Sequence, residues 1–390
     1  MANIKRANTS GITKTGTAIS DVPDAPTIGT ATGGTESATV TYTAAATGGA
    51  VTTFTATSTP GSLTGTGASP ITVSGLTGGT AYTFTVSGAN STGTSPASAA
   101  SGSVTPAAAV RGVFGGGSTF VSDMSYVTIA TTGTRLSFGS LTAGRRYLSG
   151  CASSTRGVFG SGYQVDVLDY ITIATTGNAT SFGTMVGYEI GGCGSSTRGL
   201  FSNVYFVGGS TIGYITIATT GNALAFGNLT VARSGQSAAT SSTTRGVFGG
   251  GYFGSGASNV IDYVTIATTG NAIDFGDLTR ARSWGAAVGS STRAVFVGGN
   301  VTSGTDDNTI LDYVTIASTG NATDFGDLTF GGSYRAACSS TTVGLTGGGS
   351  GGSSSIYAIT IATTGNATSF GDSIHTSFGA GGLSNGHGGL

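Results

Sequence analysis

One six-residue segment, repeated six times between residues 107 and 390, constrains the fold more than any other feature of the chain. The segment is Thr-Ile-Ala, then Thr or Ser, then Thr-Gly, and its isoleucines are Ile129, Ile173, Ile217, Ile266, Ile316 and Ile361. Successive copies lie 44 to 50 residues apart, and a Phe-Gly pair begins nine residues after every isoleucine. Such a period is typical of chains in which one supersecondary unit repeats and buries its apolar face against its neighbours.

Each repeat is predicted to contain four short strands, which we call a to d. In the fifth copy, strand a is 283–288, b is 293–299, c is 312–317 and d is 323–328, with a Thr-Gly-Asn turn between c and d. Glycine and asparagine tolerate the positive φ that tight hairpins require. Four strands in every 44 to 50 residues predict a blade of a β-propeller, and six copies predict six blades over residues 107–390.

The order of features within a repeat resembles the kelch repeat. In kelch proteins a strand ending in Gly-Gly is followed by a variable loop, a strand with tyrosine and a strand with an aromatic residue, and an arginine commonly opens the next copy. The matching residues here are Gly298, Gly299, Tyr313, Phe325 and either Arg282 or Arg335. The resemblance covers residues 107–390 and implies a kelch-like six-bladed propeller.

The first repeat has no strand a before Arg111, because a linker precedes it. Residues 377–382, Ser-Phe-Gly-Ala-Gly-Gly, align with strand a of the fifth repeat, which begins Ser-Trp-Gly-Ala-Ala. We therefore predict that the C-terminal strand completes the first blade and removes an open sheet edge.

Residues 21–106 have a different pattern, in which polar and apolar residues alternate over short segments between glycine-rich turns. This pattern predicts a β-sandwich. Leu76-Thr-Gly-Gly-Thr-Ala-Tyr82 is typical of a tyrosine corner, in which the tyrosine hydroxyl bonds back to the backbone. The segment resembles a fibronectin type III domain over residues 22–106, with Tyr42 where that family usually has tryptophan, and the resemblance implies a spacer or, alternatively, an adhesive module.

The composition supports an all-β chain of low charge. Lysine and glutamate, which helical proteins use to fill exposed faces, occur only twice each. Charged residues make up 8% of the chain, where about 25% is typical, and 16 acidic residues balance 15 basic ones. This balance excludes the basic surface that nucleic-acid binding requires.

Residues 1–20 are polar and unpatterned, and we predict an extended arm that docks on a partner. Lys5, Arg6 and Lys14 carry its positive charge and are the candidate anchoring residues. The first residues contain no apolar run of signal-peptide length, and no stretch has the roughly 18 apolar residues of a membrane span. We therefore expect synthesis in a host cytoplasm, without a signal peptide and without membrane insertion.

The sequence offers little for catalysis or metal binding. Cys151, Cys193 and Cys338 occupy one position of the repeat and are expected to be small packed side chains. No Cys-x-x-Cys pair is present for zinc. The two histidines, His375 and His387, lie in the tail, without the spacing of a Ser-His-Asp triad. We therefore predict no catalytic residue, metal or cofactor.

The loops between strands b and c vary most from copy to copy, which is typical of a binding surface. They retain aromatic and acidic residues, and aromatic rings stack on sugars or pack against protein partners. The candidate binding residues are Phe120, Tyr163, Tyr205, Tyr252, Phe253, Asp306 and Asp307. Alternatively, some of these aromatic residues only anchor their own loops.

The combination of arm, spacer and propeller resembles structural proteins of bacteriophage virions, in which such modules decorate capsids or build tail fibres. The resemblance implies a non-enzymatic virion surface protein, present in many copies on a symmetric particle. The arm would bind other virion proteins, and the propeller would bind host-surface glycan or a virion partner. Two alternatives stay open: a capsid decoration protein that covers or stabilises the shell, and a propeller-type carbohydrate-active enzyme.

Overall fold

The computed structural model describes residues 21–204, 209–233, 238–253, 256–301, 308–350, 354–372 and 378–390. The predicted arm, with Lys5, Arg6 and Lys14, lies outside these residues. The chain divides into two compact units, the first ending at Ala109 and the second beginning at Val110. Within the described ranges the regular structure is all β, apart from one 3-10 turn at Ser118–Phe120, so the predicted all-β class is confirmed. This part of the chain contains no helix long and apolar enough to cross a bilayer.

The described residues of the first unit form two three-stranded antiparallel sheets that share one hydrophobic core. One sheet has the order Thr27–Gly33, Ser37–Thr43 and Ile71–Ser74. The other sheet has the order Thr64–Thr66, Thr53–Thr59 and Thr83–Ala89. Inward-facing residues of both sheets, such as Val40, Val73 and Phe84, form a single cluster. The Tyr82 hydroxyl accepts a hydrogen bond from the Thr77 amide at 3.0 Å, so the predicted bond back to the backbone is present.

In place of a further strand, a segment with serine at every third position lies along strand Thr83–Ala89 in the first unit. The sequence pattern did not predict this arrangement. The hydroxyls of Ser95, Ser98 and Ser101 accept hydrogen bonds of 2.9–3.0 Å from alternate amides of strand Thr83–Ala89. The backbone amides of the same serines donate to the carbonyls of that strand. The strand edge is therefore satisfied by side chains, as buried backbone donors require.

The described residues of the second unit form six four-stranded antiparallel sheets, each with the strand order a, b, c, d. Sheet 1 comprises Gly381–Ser384, Arg111–Gly115, Asp123–Thr128 and Leu136–Ser140. Sheet 2 comprises Gly150–Ala152, Arg156–Phe159, Val167–Thr172 and Thr180–Thr184. Sheet 3 comprises Tyr188–Gly194, Arg198–Val204, Thr211–Thr216 and Leu224–Asn228.

The remaining three sheets repeat the same plan. Sheet 4 comprises Ala238–Ser241, Arg245–Gly249, Val260–Thr265 and Ile273–Asp277. Sheet 5 comprises Ala286–Gly289, Arg293–Val297, Ile310–Thr315 and Thr323–Asp327. Sheet 6 comprises Ala336–Ser339, Val343–Gly347, Ser355–Thr360 and Thr368–Asp372. A short ribbon, Tyr252–Phe253 with Gly256–Ala257, extends the b–c loop of sheet 4.

Strand a of the fifth repeat begins three residues later than its predicted start at residue 283. Trp284 has φ of 55°, which breaks the extended backbone and places the residue before the strand. The C-terminal strand does pair with strand b of sheet 1, with Gly381 opposite Gly115 and Ser384 opposite Gly112. The predicted alignment of this tail is one residue out of register, because Gly379 rather than Phe378 corresponds to Trp284.

The c–d hairpin of each sheet links that sheet to the preceding one. The hairpin glycine of one sheet donates its amide to the carbonyl of the strand d phenylalanine in the preceding sheet, at 2.7–3.3 Å in all six copies. The glycine that follows this phenylalanine lies against the hairpin backbone, where a Cβ would collide with it. The sixth copy of this contact joins Gly371 of sheet 6 to Gly133 of sheet 1.

The arginine that opens strand b forms a second link. In sheets 1 to 5 this arginine lies over the strand c tyrosine of its own sheet, at 4.4–5.0 Å from the ring centre. Its guanidinium also donates to two carbonyls of the repeated Thr-Ile-Ala segment in the next sheet; the bond to the alanine carbonyl measures 2.6–2.9 Å. Sheet 6 has Val343 at this position, so the link from sheet 6 to sheet 1 lacks the arginine.

The buried apolar side chains among the described residues of the second unit form six clusters, each shared by two consecutive sheets. The sixth cluster joins sheet 6 to sheet 1 and includes Phe370 and Phe114. Strand a of every sheet also contacts strand a of the next one, including the pair formed by sheets 6 and 1. Every sheet therefore packs against two neighbours in the described part of this unit.

Candidate binding site

Buried ion pairs connect the linkers that lead into sheets 2, 4 and 5 to strand c of the same sheets. In sheet 5, Arg282 Nη2 lies 2.7 Å from Asp312 Oδ2, and the Thr279 hydroxyl donates to Asp312 Oδ1 at 2.6 Å. Burial lowers the pKa of Arg282, and the Asp312 carboxylate opposes that shift. The equivalent pairs are Arg145–Asp169 and Arg233–Asp262. These carboxylates are fully buried and hydrogen bonded, so they are structural groups rather than candidates for catalysis.

The kelch resemblance left Arg282 and Arg335 as alternatives for the repeat arginine, and the two residues do not occupy equivalent positions. Strand pairing shows that Arg335 corresponds in position to Gly285 of sheet 5, and that Gly332 is the counterpart of Arg282. The Arg335 guanidinium nevertheless folds back over Gly332 and lies 5.6 Å from the ring of Tyr357, which replaces the aspartate. The guanidinium therefore reaches the same place in the sheet from a different position in the sequence.

The inner strands offer no reactive thiol. Cys151, Cys193 and Cys338 are buried and free, as the sequence predicted. Burial raises the pKa of Cys193 and of Cys338 to about 12, and it raises the pKa of Cys151 as well. A thiol in this state remains protonated and unreactive at neutral pH. The two cavities between the inner strands measure only about 50 and 40 Å³, too small for a sugar or a cofactor.

The tail beyond strand a of sheet 1 covers one of these cavities with His387. Its Nδ1 accepts a hydrogen bond from the Gly389 amide at 3.1 Å, so Nε2 carries the proton and donates to the Ala152 carbonyl at 2.8 Å. Burial lowers the pKa of His387 below 6.5, although the bond to Ala152 opposes the shift. The neutral ring is therefore the form that this packing favours.

We expect acid to destabilise the second unit through His387. Well above pH 6.5 the ring is neutral in both the folded and the unfolded chain, and its contribution to stability is complete. As the pH falls below this value, the unfolded chain binds the proton first, so the free energy of unfolding decreases until the folded-state pKa is passed. Thermal melts from pH 8 to pH 5 should show a larger loss for the wild type than for H387Q. An equal loss in the two proteins would contradict the prediction.

Aromatic side chains of the b–c loops meet aromatic side chains that precede strand a. Tyr252 stacks on Trp284 with the ring centres 5.7 Å apart, and Trp284 stacks on Tyr334 at 5.2 Å. The series continues from Tyr334 to Tyr147 at 5.2 Å, from Tyr147 to Tyr163 at 6.4 Å and from Tyr163 to Phe120 at 6.2 Å. We call this series, with Phe378 beside Tyr147 and Tyr334, the aromatic surface.

The backbone holds three members of the aromatic surface in an unusual conformation. Tyr147, Trp284 and Tyr334 occupy equivalent positions before strand a and have φ of 55–60°, in the left-handed region that large side chains rarely adopt. Hydrogen bonds of 2.6–2.8 Å connect their backbones in series through Gly379. Such strain persists only where surrounding structure fixes it, and it is concentrated at functional sites.

The aromatic surface contains three of the predicted binding residues, Phe120, Tyr163 and Tyr252. Phe120 is 42% exposed, and the other two side chains are partly exposed. Tyr205, Asp306, Asp307 and the side chain of Phe253 lie outside the described residues. Tyr147 and Tyr334 are not among the residues that the sequence pattern predicts for this surface, and Trp284 lies before strand a, although the sequence pattern predicts it within that strand. The signal that could have found them is an aromatic residue at the same position in three of six repeats.

A separate cleft of about 570 Å³ lies on sheet 3, where the repeat departs from its usual residues. Val186 replaces the threonine and Gly213 replaces the aspartate of the buried ion-pair site. Leu224 and Val186 at the rim are 59% and 58% exposed. The described residues that line the cleft supply apolar contacts and side-chain amides, and none of them is aromatic or charged. The aromatic surface is therefore the better candidate for a binding site.

Comparison with known protein families and with curated proteins finds no match to this sequence. The described residues contain no group of three or more histidine, cysteine, aspartate or glutamate side chains that could hold a metal ion.

Proposed function

We propose that this chain is a non-enzymatic surface protein of a bacteriophage virion that binds host-surface glycan through the aromatic surface. The observation that carries the proposal is the convergence of aromatic side chains from six separate segments on one continuous, partly exposed series of rings. Aromatic rings bind the apolar faces of sugars, and tyrosine and tryptophan add a polar atom at the rim. The virion assignment rests on the resemblance of the module combination to phage structural proteins.

The finer fold is part of the same proposal. Six similar sheets, each packed against two neighbours, are what a closed six-bladed propeller with kelch-like repeats requires. Two sheets around one core, together with the Tyr82 hydrogen bond, favour a fibronectin type III-like sandwich as the spacer. We assign anchoring on other virion proteins to the arm of residues 1–20, with Lys5, Arg6 and Lys14.

Replacing Tyr163 and Tyr252 together by serine is expected to abolish glycan binding while leaving the fold intact. Both rings are partly exposed, so each change should cost no more than about 1 kcal/mol, and Tm should fall by only a few degrees. Binding is measured on an array of bacterial surface polysaccharides, alongside thermal melts of the same preparations.

The matched control is Phe330→Ser, because Phe330 is 50% exposed and makes none of the ring contacts of the aromatic surface. The control should bind the array as the wild type does. If the double variant binds normally, or if it unfolds, the rings serve the loops rather than a ligand. A role in covering or stabilising a capsid shell would then be the better assignment.

A further inference from the structure

An arginine lies among the rings at one end of the aromatic surface. Arg146 belongs to the linker between strand d of sheet 1 and strand a of sheet 2. Its guanidinium carbon is 5.0 Å from the ring centre of Phe120, 4.9 Å from that of Tyr147 and 5.2 Å from that of Tyr163. Three cation–π contacts therefore hold the planar group in one place.

The Arg146 guanidinium makes no hydrogen bond within the described residues. Its Nε is buried without a partner, whereas the two terminal nitrogens remain accessible. The arginines that open strand b differ, because each donates to two carbonyl oxygens of the next sheet. Arg145, the neighbour of Arg146 in sequence, is paired with Asp169. Arg146 is thus a fixed cation whose accessible donors have no acceptor among the described residues.

We propose that Arg146 makes the aromatic surface selective for acidic glycans, a conclusion that rests on the glycan-binding function proposed above. The terminal nitrogens of a guanidinium form parallel hydrogen bonds to both oxygens of a carboxylate or to two oxygens of a phosphate group. A sugar bearing such a group places it on Arg146, while the apolar face of that sugar or of its neighbour stacks on Phe120 or Tyr163. Neutral sugars retain the stacking and lose the charged contact.

The surroundings of Arg146 favour an anion over a neutral ligand. The groups that face it are three aromatic rings, and no described carboxylate pairs with it. Cation–π contacts position a guanidinium without neutralising its charge, so the charge remains available to a ligand. Tyr147, whose backbone is strained at φ of 60°, supplies one of the rings that support the Arg146 guanidinium.

The test is glycan-array and titration binding with the full-length protein. The probes are polysaccharides rich in uronic acid, their methyl-esterified forms, phosphate-bearing polysaccharides and neutral polysaccharides. The wild type should bind at least one acidic class about tenfold more tightly than its neutral counterpart, with a preference that weakens as salt rises. R146Q should lose that preference and keep the residual affinity. R146K, which keeps the charge but not the planar fork, should fall between the two.

Arg280→Gln is the control for the loss of one positive charge, because Arg280 is exposed and lies in the corresponding linker before sheet 5. It should behave as the wild type. Comparison of the methyl-esterified and the phosphate-bearing polysaccharides identifies which anion is bound. Equal binding of acidic and neutral glycans by the wild type, or a preference that survives in R146Q, would overturn the role of Arg146 and leave the glycan-binding function standing. Absence of binding to every polysaccharide would overturn both proposals.

Discussion

Removal of residues 378–390 is expected to destabilise the second unit severely, with a fall in Tm of at least about 10 °C or loss of its cooperative transition. The deletion removes strand a of sheet 1, which pairs with strand b from Gly112 to Gly115. It also removes Leu383, which is 4% exposed and belongs to the core shared by sheets 1 and 2. Loss of one buried leucine side chain costs about 2–5 kcal/mol, and here two core clusters and a strand edge become exposed as well.

The measurement is a pair of thermal melts, with light scattering to detect association through the exposed edge of strand Arg111–Gly115. Two further variants separate the causes. Deletion of 386–390 removes His387 and keeps strand a, so we expect a smaller loss of stability. Leu383→Ala keeps the strand and removes most of the buried side chain, so the free energy of unfolding should fall by several kcal/mol. If the chain without residues 378–390 melts as the full chain does, the C-terminal strand is not required for folding.

The sheets of the second unit were predictable because the repeat supplies six examples of the same pattern. The Phe-Gly pair marks strand d correctly, and its glycine is required by the close approach of the next hairpin, as at Gly139 against Gly177. The start of strand a was less predictable. Alternation alone does not reveal a positive φ, and Trp284 was assigned to a strand that its backbone cannot join.

The candidate site was predictable only in part, because its members lie far apart in the sequence. The b–c loops pointed to Phe120, Tyr163 and Tyr252, but their partners come from linkers before strand a. Tyr147 and Tyr334 are neighbours only because sheet 1 packs against sheets 2 and 6. A pattern of residues close together in the sequence does not indicate a contact between such distant positions. Arg146 was missed for the same reason, since its role depends on three rings that two different loops and its own linker supply.

The repeats also act as natural variants of one another at the buried ion pairs. Sheets 2, 4 and 5 contain threonine, aspartate and arginine together, whereas sheet 3 has Val186 and Gly213 at the first two positions. In sheet 6 the aspartate is replaced by Tyr357, and the guanidinium comes from Arg335. Strand pairing also places Gly187 at the position of Arg145, so the whole ion pair is missing from sheet 3, as expected if an unpaired buried charge is costly.

The ion pair of sheet 5 provides the second large effect. Asp312→Ala is expected to lower the free energy of unfolding of the second unit by about 3–5 kcal/mol, because the Arg282 guanidinium would remain buried without its carboxylate. The Thr279 hydroxyl and amide would lose their acceptors at the same time. Urea unfolding of the full-length protein measures the change, with Asp324→Ala as the control, since Asp324 is an exposed carboxylate on the adjacent strand.

The combined replacement of Arg282 by Met and Asp312 by Leu should restore most of the lost stability, to within about 1–2 kcal/mol of the wild type. Apolar side chains of similar volume remove the cost of desolvating two charges, and replacing a buried ion pair in this way is often neutral. Sheet 3 already packs without the pair, which favours this outcome. If Asp312→Ala costs no more than Asp324→Ala, the buried pair does not stabilise the sheet. If the double replacement costs as much as the single one, the hydrogen bonds to Thr279, rather than the uncompensated charge, account for the loss.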